Sequence, residues 1–157
     1  MILALTSCSN TAEDYIKEGI KKYKAGKYQE ASKQFNNAIE KEDFNAEPYY
    51  WLGLIEYKKE IYSKAIIYFN KAIELNDLYT DAFLARGKTY FKTENYGDAV
   101  KDFNAAIYLK PIDHRAYLWR GKAKQRLGDN IGACSDWNEA KKKGSKDADE
   151  YLKEFCK

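Results

Sequence analysis

Histidine is almost missing from this chain, and with it goes most of the usual equipment of catalysis. The one histidine, His114, and three scattered cysteines, Cys8, Cys134 and Cys156, do not make a zinc set. No GxxxxGK, GxGxxG or GxSxG stretch is present to cradle a phosphate or raise a nucleophile. Carboxylates are plentiful, but nothing in the sequence pairs two of them as acid and base. The expectation is a protein that is not an enzyme and that holds no cofactor and no metal. Proline occurs twice and glycine nine times in 157 residues, so long helices meet few interruptions. No run approaches the roughly 18 apolar residues of a membrane-spanning helix. An excess of one charge is lacking as well: 27 basic residues face 24 acidic ones, which gives no general reason to expect nucleic acid. The charge is +4 from His114 onward and −1 before it, an asymmetry that suits a solvated helical surface.

What the chain does have is itself, four times over. Gly19, Gly53, Gly87 and Gly121 recur every 34 residues, as do Ala31, Ala65, Ala99 and Ala133. Phe35, Phe69, Phe103 and Trp137 form a third column, and Ala38, Ala72, Ala106 and Ala140 a fourth. Aromatic residues also recur at Tyr15, Tyr49, Phe83 and Tyr117, and at Tyr28, Tyr62 and Tyr96. A fixed period of this length is the signature of stacked structural repeats. Each unit reads as two helices. In the second, Glu47-Pro48 opens a helix with Tyr49, Leu52, Gly53 and Tyr57 at helical spacing, and after a break near Lys59-Glu60 a second helix carries Ala65, Phe69, Ala72 and Ile73. Gly26 and Gly128 mark the same break in the first and fourth units. Glycine in the first helix and alanine in the second allow two backbones to approach, with the aromatic filling the space beside them.

These columns resemble the tetratricopeptide repeat: an aromatic, then glycine, then alanine, aromatic and alanine in the second helix, with Pro111 closing the third unit. The resemblance spans nearly the whole chain. It implies an all-α fold, an α-solenoid of four helical hairpins at 12–45, 46–79, 80–113 and 114–147, with residues 148–157 as a C-terminal capping helix on Tyr151, Leu152 and Phe155. Departures from the family pattern are Glu18, Arg86 and Arg120 where leucine is favoured, and Asp43 and Asp77 where proline is. Arg86 and Arg120 occur in the two units that also carry Asp102 and Asp136 beside the second-helix aromatic, whereas the earlier units offer Glu18 with Gln34 and Leu52 with Tyr68. An Arg–Asp bridge across each of the last two hairpins is therefore expected.

The resemblance also implies a concave groove lined by the first helices and a function in protein binding. Its floor would comprise Ile16, Ile20 and Tyr23, then Tyr50, Leu54 and Tyr57, then Leu84, Lys88 and Phe91, and finally Leu118, Lys122, Gln125 and Arg126. Such a floor runs from apolar and aromatic to basic, and suits a peptide or protein partner with hydrophobic anchors and an acidic end. The opposing reading is that many of these side chains pack between adjacent repeats. The clamp for chaperone C-termini known in the family needs a Lys and an Asn one turn apart, and Ile16 and Ile20 stand there instead. Self-association through Trp51, Tyr57 and Phe91, giving a homo-oligomer, is the alternative from a different class.

Residues 1–11 form a separate problem. Leu5-Thr6-Ser7-Cys8 resembles the lipobox of bacterial lipoproteins, preceded only by Ile2 to Leu5 as an apolar stretch and followed by a polar tether, Ser9 to Asp14. The resemblance implies lipidation of Cys8 and a place in the bacterial cell envelope, anchored at the periplasm or outer membrane. An accessory role in outer-membrane or pilus assembly would follow the same line. A frayed terminus and a cytoplasmic protein are the alternative. Setting Cys8 aside leaves Cys134 on the second helix of the fourth unit and Cys156 on the cap, an even pair that an oxidising compartment would join as a disulfide fastening the cap. In the cytosol the two would serve as small apolar side chains.

Overall fold

The computed structural model describes residues 10–157, and the expectation for Cys8 lies outside them. The described residues form nine helices: α1 (Ala12–Lys24), α2 (Tyr28–Lys41), α3 (Ala46–Lys58), α4 (Tyr62–Leu75), α5 (Thr80–Lys92), α6 (Tyr96–Leu109), α7 (His114–Arg126), α8 (Asn130–Lys142) and α9 (Ala148–Phe155). Helix starts follow capping chemistry. The Thr11 hydroxyl and the Asp14 carboxylate cap each other's backbone at α1, and Asn45, Asp113 and Asp129 accept from the first turns of α3, α7 and α8. The turns inside the hairpins all pass through the left-handed region. Gly26 and Gly128 take φ of 74° and 85°, and Glu60 and Glu94 take 61° and 62° at the equivalent places, so the turn is imposed by the packing even where glycine is lacking.

Consecutive helices pack antiparallel as the pairs α1/α2, α3/α4, α5/α6 and α7/α8, and each pair stacks on the next. The first helices also touch one another in series, α1 on α3, α3 on α5 and α5 on α7, and so form one continuous face. The chain is therefore an all-α stack with α9 closing the end. The repeated small and large residues explain the hairpin. Phe35, Phe69, Phe103 and Trp137 are fully buried beneath the glycine of the facing helix. A Cβ at Gly53 would stand 2.5 Å from Cε1 of Phe69, so glycine at this point is a matter of space.

Both Arg–Asp bridges are present, and each reaches further than its own hairpin. Arg86 Nε and Nη2 donate to the two Asp102 oxygens at 2.8 and 2.7 Å, while Nη1 donates to Asn70 Oδ1 on α4 at 2.7 Å. Arg120 repeats the pattern with Asp136 at 2.9 and 2.5 Å and with Asn104 on α6 at 2.7 Å. One guanidinium thus fastens a hairpin internally and fastens it to the preceding repeat. Lys124 Nζ adds a contact to Asp136 at 2.9 Å. In the first repeat Glu18 stands in the arginine column and pairs loosely with Lys21 and Lys22, each at 3.6 Å.

At the far end α9 lies against α8. Tyr151 stacks on Trp137 with ring centroids 5.1 Å apart, and Phe155 tilts onto the same indole at 5.7 Å. Cys134 and Cys156 are joined by a disulfide with alpha carbons 5.7 Å apart.

Candidate functional site: a depression in the concave face

Three interfaces separate the four hairpins, and one column decides what each does. Trp51 of the second repeat packs edge-on against Tyr23 of the first, centroids 5.1 Å apart, and stacks on Phe35. Trp119 of the fourth packs in the same way against Phe91 of the third at 5.5 Å. The corresponding residue of the third repeat is Ala85. Tyr57, the counterpart of Tyr23 and Phe91, packs on Tyr62 of its own hairpin and finds no indole across the interface. A depression of about 150 Å³ opens there, lined by Tyr23, Tyr50, Leu54, Tyr57, Lys58, Asp81, Leu84, Ala85, Lys88 and Arg115.

The chemistry of this depression is mixed by design of its walls. Tyr50 is largely buried, and burial first, then the nearby Asp81 carboxylate, push its hydroxyl up to about 12, so it is a neutral hydrogen-bonding group. Burial, then repulsion from Arg115, hold the Lys88 ammonium below its ordinary value of 10.5. Among the described residues no carboxylate lies within ion-pairing distance of Lys88, whose Nζ is 5.2 Å from the centre of the Trp119 ring. Arg115 is the opposite case. Its Nη2 lies 2.8 Å from Asp81 Oδ1 and 2.5 Å from Asp113 Oδ2, a bridge between two repeats that fixes the guanidinium at the rim. The depression therefore offers apolar and aromatic area beside two cations without an ion pair among the described residues, the largely buried Lys88 and the exposed Lys58.

Of the expected groove residues, Tyr23, Tyr50, Leu54, Tyr57, Leu84 and Lys88 come together here. The others are placed differently. Leu118 is buried in the core of the last hairpin, and its carbonyl accepts the Trp137 indole N–H at 3.3 Å. Phe91 is spent on Tyr96 and Trp119. Lys122 lies over the Trp119 and Tyr151 rings at 4.3 and 4.6 Å, and Arg126 lies over Tyr96 at 5.9 Å. Lys122 and Arg126 thus lie outside the depression, each over an aromatic face as Lys88 also is. Lys58, Asp81, Ala85 and Arg115 are the lining residues that the repeat columns did not single out. A usable signal existed, since Asp81 and Arg115 carry opposite charges in one column and Ala85 interrupts a column of tryptophans.

A stack of antiparallel hairpins whose first helices share an open, recessed face is a helical-repeat scaffold for protein–protein interaction. Two family models, both described as tetratricopeptide repeat, match residues 16–80 and 80–113. Between them they cover more than half of the chain, and the chain belongs to the tetratricopeptide repeat family. Among solved structures it is similar to MamA, at 27% identity over 92% of this chain and 85% of the other, with a TM-score of 0.81. The first tetratricopeptide domain of Spaghetti (RPAP3), bound to the HSP90 peptide SRMEEVD, is 25% identical over 75% of this chain and 94% of that one, with a TM-score of 0.73. YrrB, a repeat protein with an unusual peptide-binding site, shares the fold at 22% identity and a TM-score of 0.77, over 90% of this chain and 74% of that one. No curated protein matches the sequence.

Proposed function

We propose that the chain is a non-enzymatic scaffold that takes a short segment of a partner protein into the depression between its second and third repeats. The bound segment presents an apolar or aromatic side chain to Tyr23, Tyr50, Leu54 and Tyr57, and a carboxylate one residue away to Lys88. The observation that carries this reading is Ala85, which leaves a recess with an unmatched ammonium where both flanking interfaces are sealed by tryptophan. Solved relatives that hold peptides support it at the level of the fold.

The test is Ala85→Trp. Filling the recess with the indole that its neighbours already use should remove partner capture while leaving thermal stability within about 1 kcal/mol. Capture is read by photocrosslinking from a probe at Leu54 in a bacterial envelope. Undiminished crosslinking in Ala85→Trp would overturn the proposed site.

We read the chain further as an envelope lipoprotein acylated at Cys8, with an assembly accessory as one biological setting. The Leu5-Thr6-Ser7-Cys8 stretch supports this, and so does a Cys134–Cys156 disulfide, which persists in oxidising compartments. Mass spectrometry of the chain from bacterial membranes decides it: an unacylated Cys8 ends that reading.

A further inference from the structure

Phe44, Leu78 and Ile112 stand 34 residues apart, one in each loop between repeats, and are 71, 69 and 73% exposed. Each comes immediately before the capping residue of the next first helix, Asn45, Tyr79 and Asp113. A side chain at that place commonly staples the helix by packing on its first turn, in which case it would be largely covered. These three are not.

Hairpin geometry puts them on one edge. In an antiparallel pair the second helix ends where the first begins, so every loop between repeats lies on the same side of the stack, opposite the turns at Gly26, Glu60, Glu94 and Gly128. Surface grooves show the continuity. One joins Thr11 and Ile16 to Glu42 and Asn45, and the next joins Phe44 and Asn45 to Leu75, Asn76 and Tyr79. Arg115 then ties the third loop to Asp81. Thr11, the N-cap of α1, therefore lies on this same edge, and Cys8 precedes it by three residues in sequence. The opposite edge has no such row: of its exposed apolar residues, Ile61, Leu127 and Ile131 fall at three different places in the repeat, and Phe155, beside Ile131, belongs to the cap.

We propose that this edge, carrying Phe44, Leu78 and Ile112, rests on the lipid surface to which the chain is anchored. The proposal takes its setting from the lipid-anchor reading above. Charge does not recruit the edge, since Lys41 and Lys110 are offset there by Glu42, Asp43 and Asp77. Three apolar side chains by themselves hold weakly, and a tether three residues away supplies the effective concentration that makes them count. In that pose the first helices stand on the bilayer with their N-termini down, the repeats run along its plane, and the recess beside Ala85 opens sideways into the aqueous space.

Cys134 and Cys156 are bonded, so Cys8 is the thiol available for coupling the full chain to a maleimide-headgroup lipid in phosphatidylcholine vesicles. Hydrogen exchange is then compared with that of the untethered chain. Amides of residues 42–45, 76–79, 110, 112 and 113 should slow by threefold or more, those of residues 25–27, 59–61, 93–95 and 127–129 should not, and Phe44→Asn, Leu78→Asn and Ile112→Asn together should erase the difference. Equal exchange at both edges, or slowing that survives the triple substitution, overturns the proposal. Slowing in the untethered chain that grows with its concentration assigns the edge to a second copy and overturns it as well. Because the coupling is chemical, the result stands whether or not Cys8 is acylated in a cell.

Discussion

Burial, then the neighbouring Arg115, both work against the Lys88 ammonium and hold its pKa below the ordinary 10.5. A partner carboxylate beside it offsets both by its opposite charge, so binding should draw on this one side chain more than on any other cation of the groove. Lys88→Ala is expected to weaken partner binding about tenfold, or about 1.4 kcal/mol, measured by calorimetry on a captured partner peptide. The sign of the pH dependence follows from the shift. The ammonium loses its proton at a pH below the ordinary 10.5, so affinity should begin to fall on the alkaline side earlier than an exposed lysine would allow. A flat profile up to that value would place the carboxylate elsewhere.

The clasps show what single residues of the sequence disclosed and what they did not. Arg86 with Asp102 and Arg120 with Asp136 were legible, because two departures from the repeat pattern occurred together in the same two units. Their third partners, Asn70 and Asn104, were not, since those belong to the preceding repeat and one repeat read alone does not contain them. The same blindness affected Leu118. Periodicity puts it on the inward face of α7, but the Trp137 indole and the cap cover that face, and only the stacked structure shows the cover.

Helices here are stabilised as pairs, and the consequences of breaking a pair are correspondingly local. Asp136→Ala leaves the Arg120 guanidinium half-buried with only Asn104 to receive it, and frees Lys124 from its partner. The expected cost is about 2–3 kcal/mol in urea unfolding, well above a surface charge pair, and an unchanged midpoint would refute the structural role given to the clasp. For α9 the decisive bond is covalent. An eight-residue helix does not persist alone in water, and the disulfide closes a loop with a sequence separation of 22. Reduction should lower stability by about 3 kcal/mol, speed hydrogen exchange throughout α9 and shift Trp137 emission to the red as Tyr151 and Phe155 leave it. Should α9 exchange at the same rate after reduction, the aromatic contacts would be sufficient by themselves.

At the scale of the whole molecule the repeat columns made the architecture readable almost entirely from sequence, because the glycine, alanine and aromatic positions are set by contacts within each hairpin. The recess was not readable in the same way. It results from one small residue, Ala85, at an interface between hairpins, and its meaning depends on what both neighbours do with the same position.

The stack is also unequal along its length. Arginine clasps cross the second and third interfaces, while the first relies on Trp51 lying against Tyr23 and Phe35. If a load is carried between the N-terminus and a partner held at Lys88, it enters through α1 and meets the unclasped joint before any other. Charge-assisted hydrogen bonds resist sliding through their direction, whereas ring faces shear past one another. In optical tweezers, with handles at Thr11 and Lys88, the first hairpin should yield in a separate step at lower force, with the clasped half still intact. A single all-or-none rupture would mean that the joints are mechanically alike. With the stepwise yield, the chain works as a strain-limiting coupling, giving way by one repeat at its N-terminal end before its grip on the partner is disturbed.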